Sequence, residues 1–157
     1  YQDTLNPILA LAEEISVSLS GDDETIDDTK LYESDLLKQW ERFTEHFKPY
    51  EPLLRNFLRN EVFSDLLLPD SDLENALVQM QWIALEYAAI RHSIFLRWML
   101  DGADTTISGI PYETIRQFLV IITRMTGYET ADIYEYLENS FESLLWDWGY
   151  FALIIGK

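Results

Sequence analysis

The sequence contains no cysteine. That removes disulfide bridges and thiolate metal ligands from consideration. Basic residues are scarce: 11 Lys and Arg stand against 28 Asp and Glu, for a formal net charge of −17. Nucleic-acid binding draws on counterion release by a basic surface, and anionic membranes attract basic segments, so neither partner class fits. A basic protein or a lysine-bearing substrate would instead be steered towards this chain. Only two histidines occur, and the six glycines are scattered with no Gly-x-Gly-x-x-Gly run after a strand, so no dinucleotide site is expected. The start lacks the basic, apolar and small-residue sequence of a secretory signal, and the longest apolar stretch is interrupted by Glu86, Arg91, His92 and Arg97. No membrane insertion is predicted, and a cytoplasmic location is the expectation.

Abundant apolar residues offset these shortages: 48% of the 157 residues are hydrophobic, enough for one sizeable core. The stretch Ser71 to Leu100 contains neither proline nor glycine. Leu73, Ala76, Leu77, Met80, Ile83, Ala84, Tyr87, Ile90 and Ile94 form a stripe at helical spacing, and Trp82, Leu85, Ala89, Leu96 and Met99 form a second. Asp70 or Ser71 is placed to cap it, with Glu74 completing a capping box behind Ser71. The spacing predicts a long helix over about 72–100, apolar on nearly all sides and therefore surrounded by other elements.

Shorter helices are predicted on either side. Asn6 and Pro7 suit a helix start, giving a helix over 6–19. Residues 20–30 read as an acidic linker without the spacing of a calcium loop. Amphipathic helices follow over 31–47 and about 51–67, divided by Pro49. Pro111 opens a helix to about Met125, a shorter one covers 130–138, and an aromatic-rich one covers 141–155. Gly149 in this last helix suggests close packing of a neighbour, and the aromatics offer a second face to another copy, a possible homodimer contact. The fold class expected is all-α: six or seven helices in a single domain, bundled around the long one.

Chemistry is less visible. His92 on the long helix, with Glu86 and Arg97 on the same element, is the candidate catalytic set. His46 lies beside Glu45 at a helix end. Neither histidine has a glutamate three residues before it, which excludes the di-iron pattern, and no His-Glu-x-x-His spacing exists for zinc, so no metal is expected. Glu86 is the only carboxylate well inside the long helix, and an arginine from a neighbouring helix is its expected partner. Arg97 and Arg124 are placed to hold carboxylates from neighbouring elements. Tyr128 follows Arg124 by four residues, on the same face if the helix continues past Gly127. The five tryptophans suit a core better than a ligand cage. Trp82 and Trp98 would lie about 24 Å apart on one helix and would not share a pocket. No cofactor is evident from the residues.

Three segments, YEPLLRNFLRNEVFSDLLLP over 50–69, YAAIRHSIFL over 87–96 and IRQFLVIITRMTGY over 115–128, followed by YFALII over 150–155, together resemble the C-terminal helical half of the flagellin lysine N-methylase family. The resemblance covers roughly residues 45–157. It implies a role in methylating surface lysines of flagellin, with S-adenosylmethionine as methyl donor. It also implies a cysteine cluster in an N-terminal half, which this cysteine-free chain does not carry. The chain is then either the accessory half of a split enzyme or a relative that has lost the cluster. Tyr128 stands where the family tends to have histidine, so no catalytic role is carried over. Asn56, Asn60 and Arg124 are carried over as structural or partner-binding positions. The alternative is a non-enzymatic interaction or scaffold protein. A third reading, an enzyme in its own right, places Glu86, His92 and Arg97 beside one pocket.

Overall fold

The structure, a computed structural model, describes residues 1–20, 26–66, 72–102, 109–126, 130–139 and 148–155. These form seven α-helices: α1 (Gln2–Ser20), α2 (Ile26–Phe47), α3 (Glu51–Glu61), α4 (Leu73–Leu100), α5 (Tyr112–Met125), α6 (Thr130–Asn139) and α7 (Trp148–Ile155). A 3-10 turn, Lys48–Tyr50, joins α2 to α3, and a π turn, Val62–Leu66, follows α3. No strand occurs among the described residues, and the fold is all-α as expected. The chain divides into two compact units. The first comprises Tyr1–Tyr50 with His92–Ile121, the second Glu51–Arg91 with Ile122–Lys157.

Helix α4 is the longest element and runs unbroken for 28 residues, about 42 Å at 1.5 Å per residue. Its cap is Asp72: the Asn75 backbone N–H donates to Asp72 Oδ1 at 2.8 Å. The expected caps, Asp70 and Ser71, lie outside the described residues. The helix stops where Gly102 takes φ 79°, the left-handed region that glycine enters without a Cβ clash. Burial differs from the expected all-round enclosure. Leu73 is 77% exposed, and Leu77 and Met80 also face outwards. Burial begins at Val78 and continues through Gln81, Trp82 and Ile83. Apolar spacing alone marked the wrong side of the first two turns, because that half of the helix is apolar around most of its girth and its pattern does not single out a face.

The first unit is built on stacked rings. Phe43, fully buried, contacts Trp40 (centroids 5.4 Å apart), Phe47 (5.1 Å), Phe95 (5.3 Å) and Trp98 (5.9 Å). Ile8, Ile94, Ile115 and Phe118 complete this core. Helix α1 begins at Gln2, four residues before the expected start, and carries Pro7 within it. The Tyr1 carbonyl accepts from both Thr4 and Leu5 N–H groups, closing a first turn ahead of the proline. Gln117 Nε2 donates to Thr4 Oγ1 at 3.0 Å, tying α5 to α1. Helix α2 starts at Ile26, so the second half of the expected acidic linker is helical. Residues 21–25 lie outside the described residues.

The Tyr50 hydroxyl donates to the carbonyl of Ile110, a buried residue, at 2.5 Å. Replacing Tyr50 by Phe removes that donor at little change in shape. The expected loss is about 1 kcal/mol, read as a lower urea midpoint at unchanged slope.

On α5, the Arg116 guanidinium, hydrogen-bonded to Glu113, holds that carboxyl below its ordinary range and is itself raised. Both side chains are in water, where such pairs contribute little.

The second unit packs Val78 and Trp82 of α4 against Ile133 and Leu137 of α6 and Phe151 of α7, with Ala84 and Leu85 at the margin. Helix α3 buries Leu54. The α-helix expected to reach about residue 67 changes at Val62 into a π turn. A wider turn rotates the following residues, and Phe63, expected on the apolar side, is 58% exposed beneath the Arg59 guanidinium at 5.6 Å. Gly149 is exposed rather than closely packed, and residues 140–147 of the expected last helix lie outside the described residues.

Candidate ligand pocket

Trp82, Leu85, Glu86 and Ala89 occupy positions i, i+3, i+4 and i+7 of α4, which places them on one helix face. That face, with Thr126 just beyond α5 and Tyr136 of α6, lines a cavity of about 180 Å³. At about 30 Å³ of liquid per water molecule, it has room for about six waters or one short side chain. The walls are mostly apolar. Trp82 and Tyr136 meet edge to face, with ring centroids 5.4 Å apart and planes at 80°.

Thr126 organises the polar part. Its N–H donates to the Ile122 carbonyl at 3.0 Å, continuing the α5 pattern by one residue. Its carbonyl accepts the Trp82 indole N–H at 3.0 Å, which fixes the ring against α5. Its hydroxyl donates to Glu86 Oε1 and also lies 2.8 Å from the Ile122 carbonyl. Glu86 is 6% exposed, one of two buried polar residues on α4 with Gln81. Three features of the cavity share one sign. A carboxyl group lines it, the negative end of the α5 dipole lies at Thr126, and the ring faces carry negative quadrupole density.

Of the candidate set Glu86, His92 and Arg97, Glu86 lines this pocket; it belongs to the second unit, and His92 and Arg97 belong to the first. His92 is exposed and stacks on Trp40, with centroids 5.0 Å apart and planes at 20°. Arg97 grips Asp101 of its own chain segment through two contacts, Nε–Oδ2 at 3.1 Å and Nη2–Oδ1 at 2.9 Å. The carboxylate expected from a neighbouring element is supplied four residues on instead, because Asp101 closes the last turn directly below Arg97. The Glu86 carboxyl accepts a hydrogen bond from the Thr126 hydroxyl. Asn56, Asn60 and Arg124 are all exposed. Tyr128 lies outside the described residues.

Sequence reasoning singled out Glu86 but missed Thr126 and Tyr136. Thr126 is 40 residues from Glu86 and carries no motif. The one available signal was the lone carboxylate on an otherwise apolar face beginning with a tryptophan.

Among the described residues, no three His, Asp or Glu side chains gather as a metal-holding group, and no helix is long and apolar enough to cross a membrane. At about 180 Å³ the cavity is smaller than the roughly 300–1,000 Å³ of sites that enclose drug-sized molecules, so it does not fit a nucleoside-sized methyl donor.

The family model described as "FliB lysine N-methylase C-terminal domain" matches residues 1–154. The match extends beyond the 45–157 span that the sequence motifs suggested and takes in α1 and the acidic segment. Neither the curated proteins nor the solved structures contain a match.

Proposed function

The chain belongs to the FliB lysine N-methylase C-terminal domain family, and from that premise we propose that it holds the lysine-bearing protein client while the methyl transfer is carried out elsewhere. One observation carries this reading: 28 acidic residues against 11 basic ones, in a domain related to proteins that act on lysine. A field of this sign raises the local concentration of a lysine-rich surface and speeds its encounter. The exposed Asn56 and Asn60 offer hydrogen-bonding groups to such a surface.

Calorimetric titration of the 157-residue chain tests the proposal. Flagellin is expected to give saturable heat that weakens as salt is raised from about 0.01 to 0.15 M, because the screening length shortens from about 30 to 8 Å. S-adenosylmethionine titrated alone is expected to give none. Silence from flagellin at low salt would leave the non-enzymatic scaffold reading in front.

A further inference from the structure

We propose that the outer face of α3 is a docking surface for an acidic, extended segment of a partner protein. The proposal does not rest on the client-holding reading above, which calls for a surface of the opposite charge.

Charge pairing singles this face out. Lys38, Lys48, Arg97 and Arg116 each pair with a carboxylate three or four residues away. Among the described residues, no carboxylate pairs with Arg55 or Arg59, although acids outnumber bases 28 to 11. Glu51 stands four residues before Arg55, a spacing at which helical ion pairs form, and that pair is not made. A net charge of −17 repels acidic segments at long range. Attraction for one must therefore come from direct contact with a local cluster of cations.

The geometry of α3 supplies that cluster. The helix turns Leu54 inwards and leaves Arg55, Asn56, Arg59 and Asn60 exposed. Arg55 and Arg59 lie one turn apart on the same side, about 6 Å along the axis. Beyond them the π turn brings out Phe63, 58% exposed, with the Arg59 guanidinium 5.6 Å from its ring centroid. Two guanidinium forks without an acid partner and one exposed ring thus make a single strip. An extended peptide rises about 3.3 Å per residue, so carboxylates on alternate residues stand about 6.6 Å apart and match the two forks. Each fork can hold its carboxylate through two parallel hydrogen bonds, the mode by which arginine clusters read acidic motifs. An apolar side chain two residues further on meets Phe63. Arginine and aromatic side chains are enriched together at protein interfaces, in keeping with this use. Asn56 and Asn60 border the strip, and their amides bond groups of either charge.

The probe is the peptide Glu-Ser-Glu-Ser-Leu, capped at both ends and titrated into the whole chain. Salt is held at about 0.15 M, where the screening length of about 8 Å suppresses the long-range repulsion. The readout is the amide ¹H–¹⁵N shifts of α3. Saturable shifts centred on Arg55 to Phe63 are expected, with a dissociation constant on the order of 0.1–1 mM. Arg55→Gln and Arg59→Gln place another good helix former at an exposed position, so folding is not at stake. Each should weaken the peptide about three- to fivefold. Phe63→Ser should weaken it by a similar factor. Arg116→Gln, which removes an exposed arginine already paired with Glu113, should leave binding unchanged. The peptide Lys-Ser-Lys-Ser-Leu should leave the α3 amides unshifted. Absence of saturable α3 shifts with the acidic peptide, equal α3 shifts with the lysine peptide, or binding unchanged in both α3 arginine variants overturns the proposal. Inorganic phosphate binding α3 as tightly as the peptide overturns it too, since the strip would then hold an anion without reading a segment.

Discussion

Phe43→Ala is expected to cost about 3–5 kcal/mol, the range for deleting a buried phenylalanine side chain. The residue is fully buried and touches four other rings, two on α2 and two on α4. Its removal takes away transfer free energy and also leaves a void edged by flat, stiff groups that close poorly over empty space. Against a typical total stability of about 5–15 kcal/mol, such a loss leaves the first unit marginal at 25 °C. Urea unfolding followed by near-ultraviolet circular dichroism reports it directly, since the aromatic signal comes from this cluster and its counterparts. The internal comparison is Leu37→Ala on the same helix. Leu37 is exposed, so its truncation is expected to stay within about 0.5 kcal/mol. Equal effects from the two would contradict the packing described for α2.

The second large effect concerns Thr126. Thr126→Val exchanges a hydroxyl for a methyl group of nearly the same size and withdraws a donor from a buried carboxyl. Leaving a buried polar group without its donor costs about 1–3 kcal/mol, so the variant should unfold at clearly lower denaturant. Thr126→Ser keeps the oxygen and should recover most of the difference. The Trp82 bond runs to the Thr126 backbone carbonyl and is unaffected by either change, which isolates the side-chain contact. A double-mutant cycle with Glu86→Leu separates the pair from its surroundings. The paired variant should lose less than the sum of the single losses, since removing both polar groups leaves neither to be satisfied. Full additivity would mean that the hydroxyl and the carboxyl do not act on each other.

Much of the fold was legible because prolines and glycines mark where helices stop. Pro49, Gly102 and Pro111 fall at or beside observed ends, and the proline-free, glycine-free run between Pro69 and Gly102 holds α4 with its expected length. Local punctuation is a property of a few consecutive residues and survives folding. Facing is not. Leu73, Leu77 and Met80 looked like core because they lie on an apolar helix, yet which side is covered depends on segments distant in the chain. The same limit applies to the pocket. Glu86 stood out as a carboxyl group among apolar neighbours, but Thr126, whose hydroxyl donates to it, lies 40 residues away and is of a type too common to carry a signal. Pro7 misled in the opposite direction. It suits a first turn so well that the turn ahead of it, held by the Tyr1 carbonyl, went unread. The π turn after α3 had no sequence mark at all, and it is what carried Phe63 from the expected inner side to the surface.

The end of α4 has a consequence for how variants of this domain will behave. At Gly102 the backbone bends into a hand that mirror symmetry denies to residues bearing a Cβ, at a cost of roughly 1–2 kcal/mol for any of them. A replacement there has two outlets. It can accept that strain, or it can let the coil wind on past Asp101, which would draw the aspartate away from the Arg97 guanidinium. Handedness at a single residue thus acts as the full stop of the longest described helix.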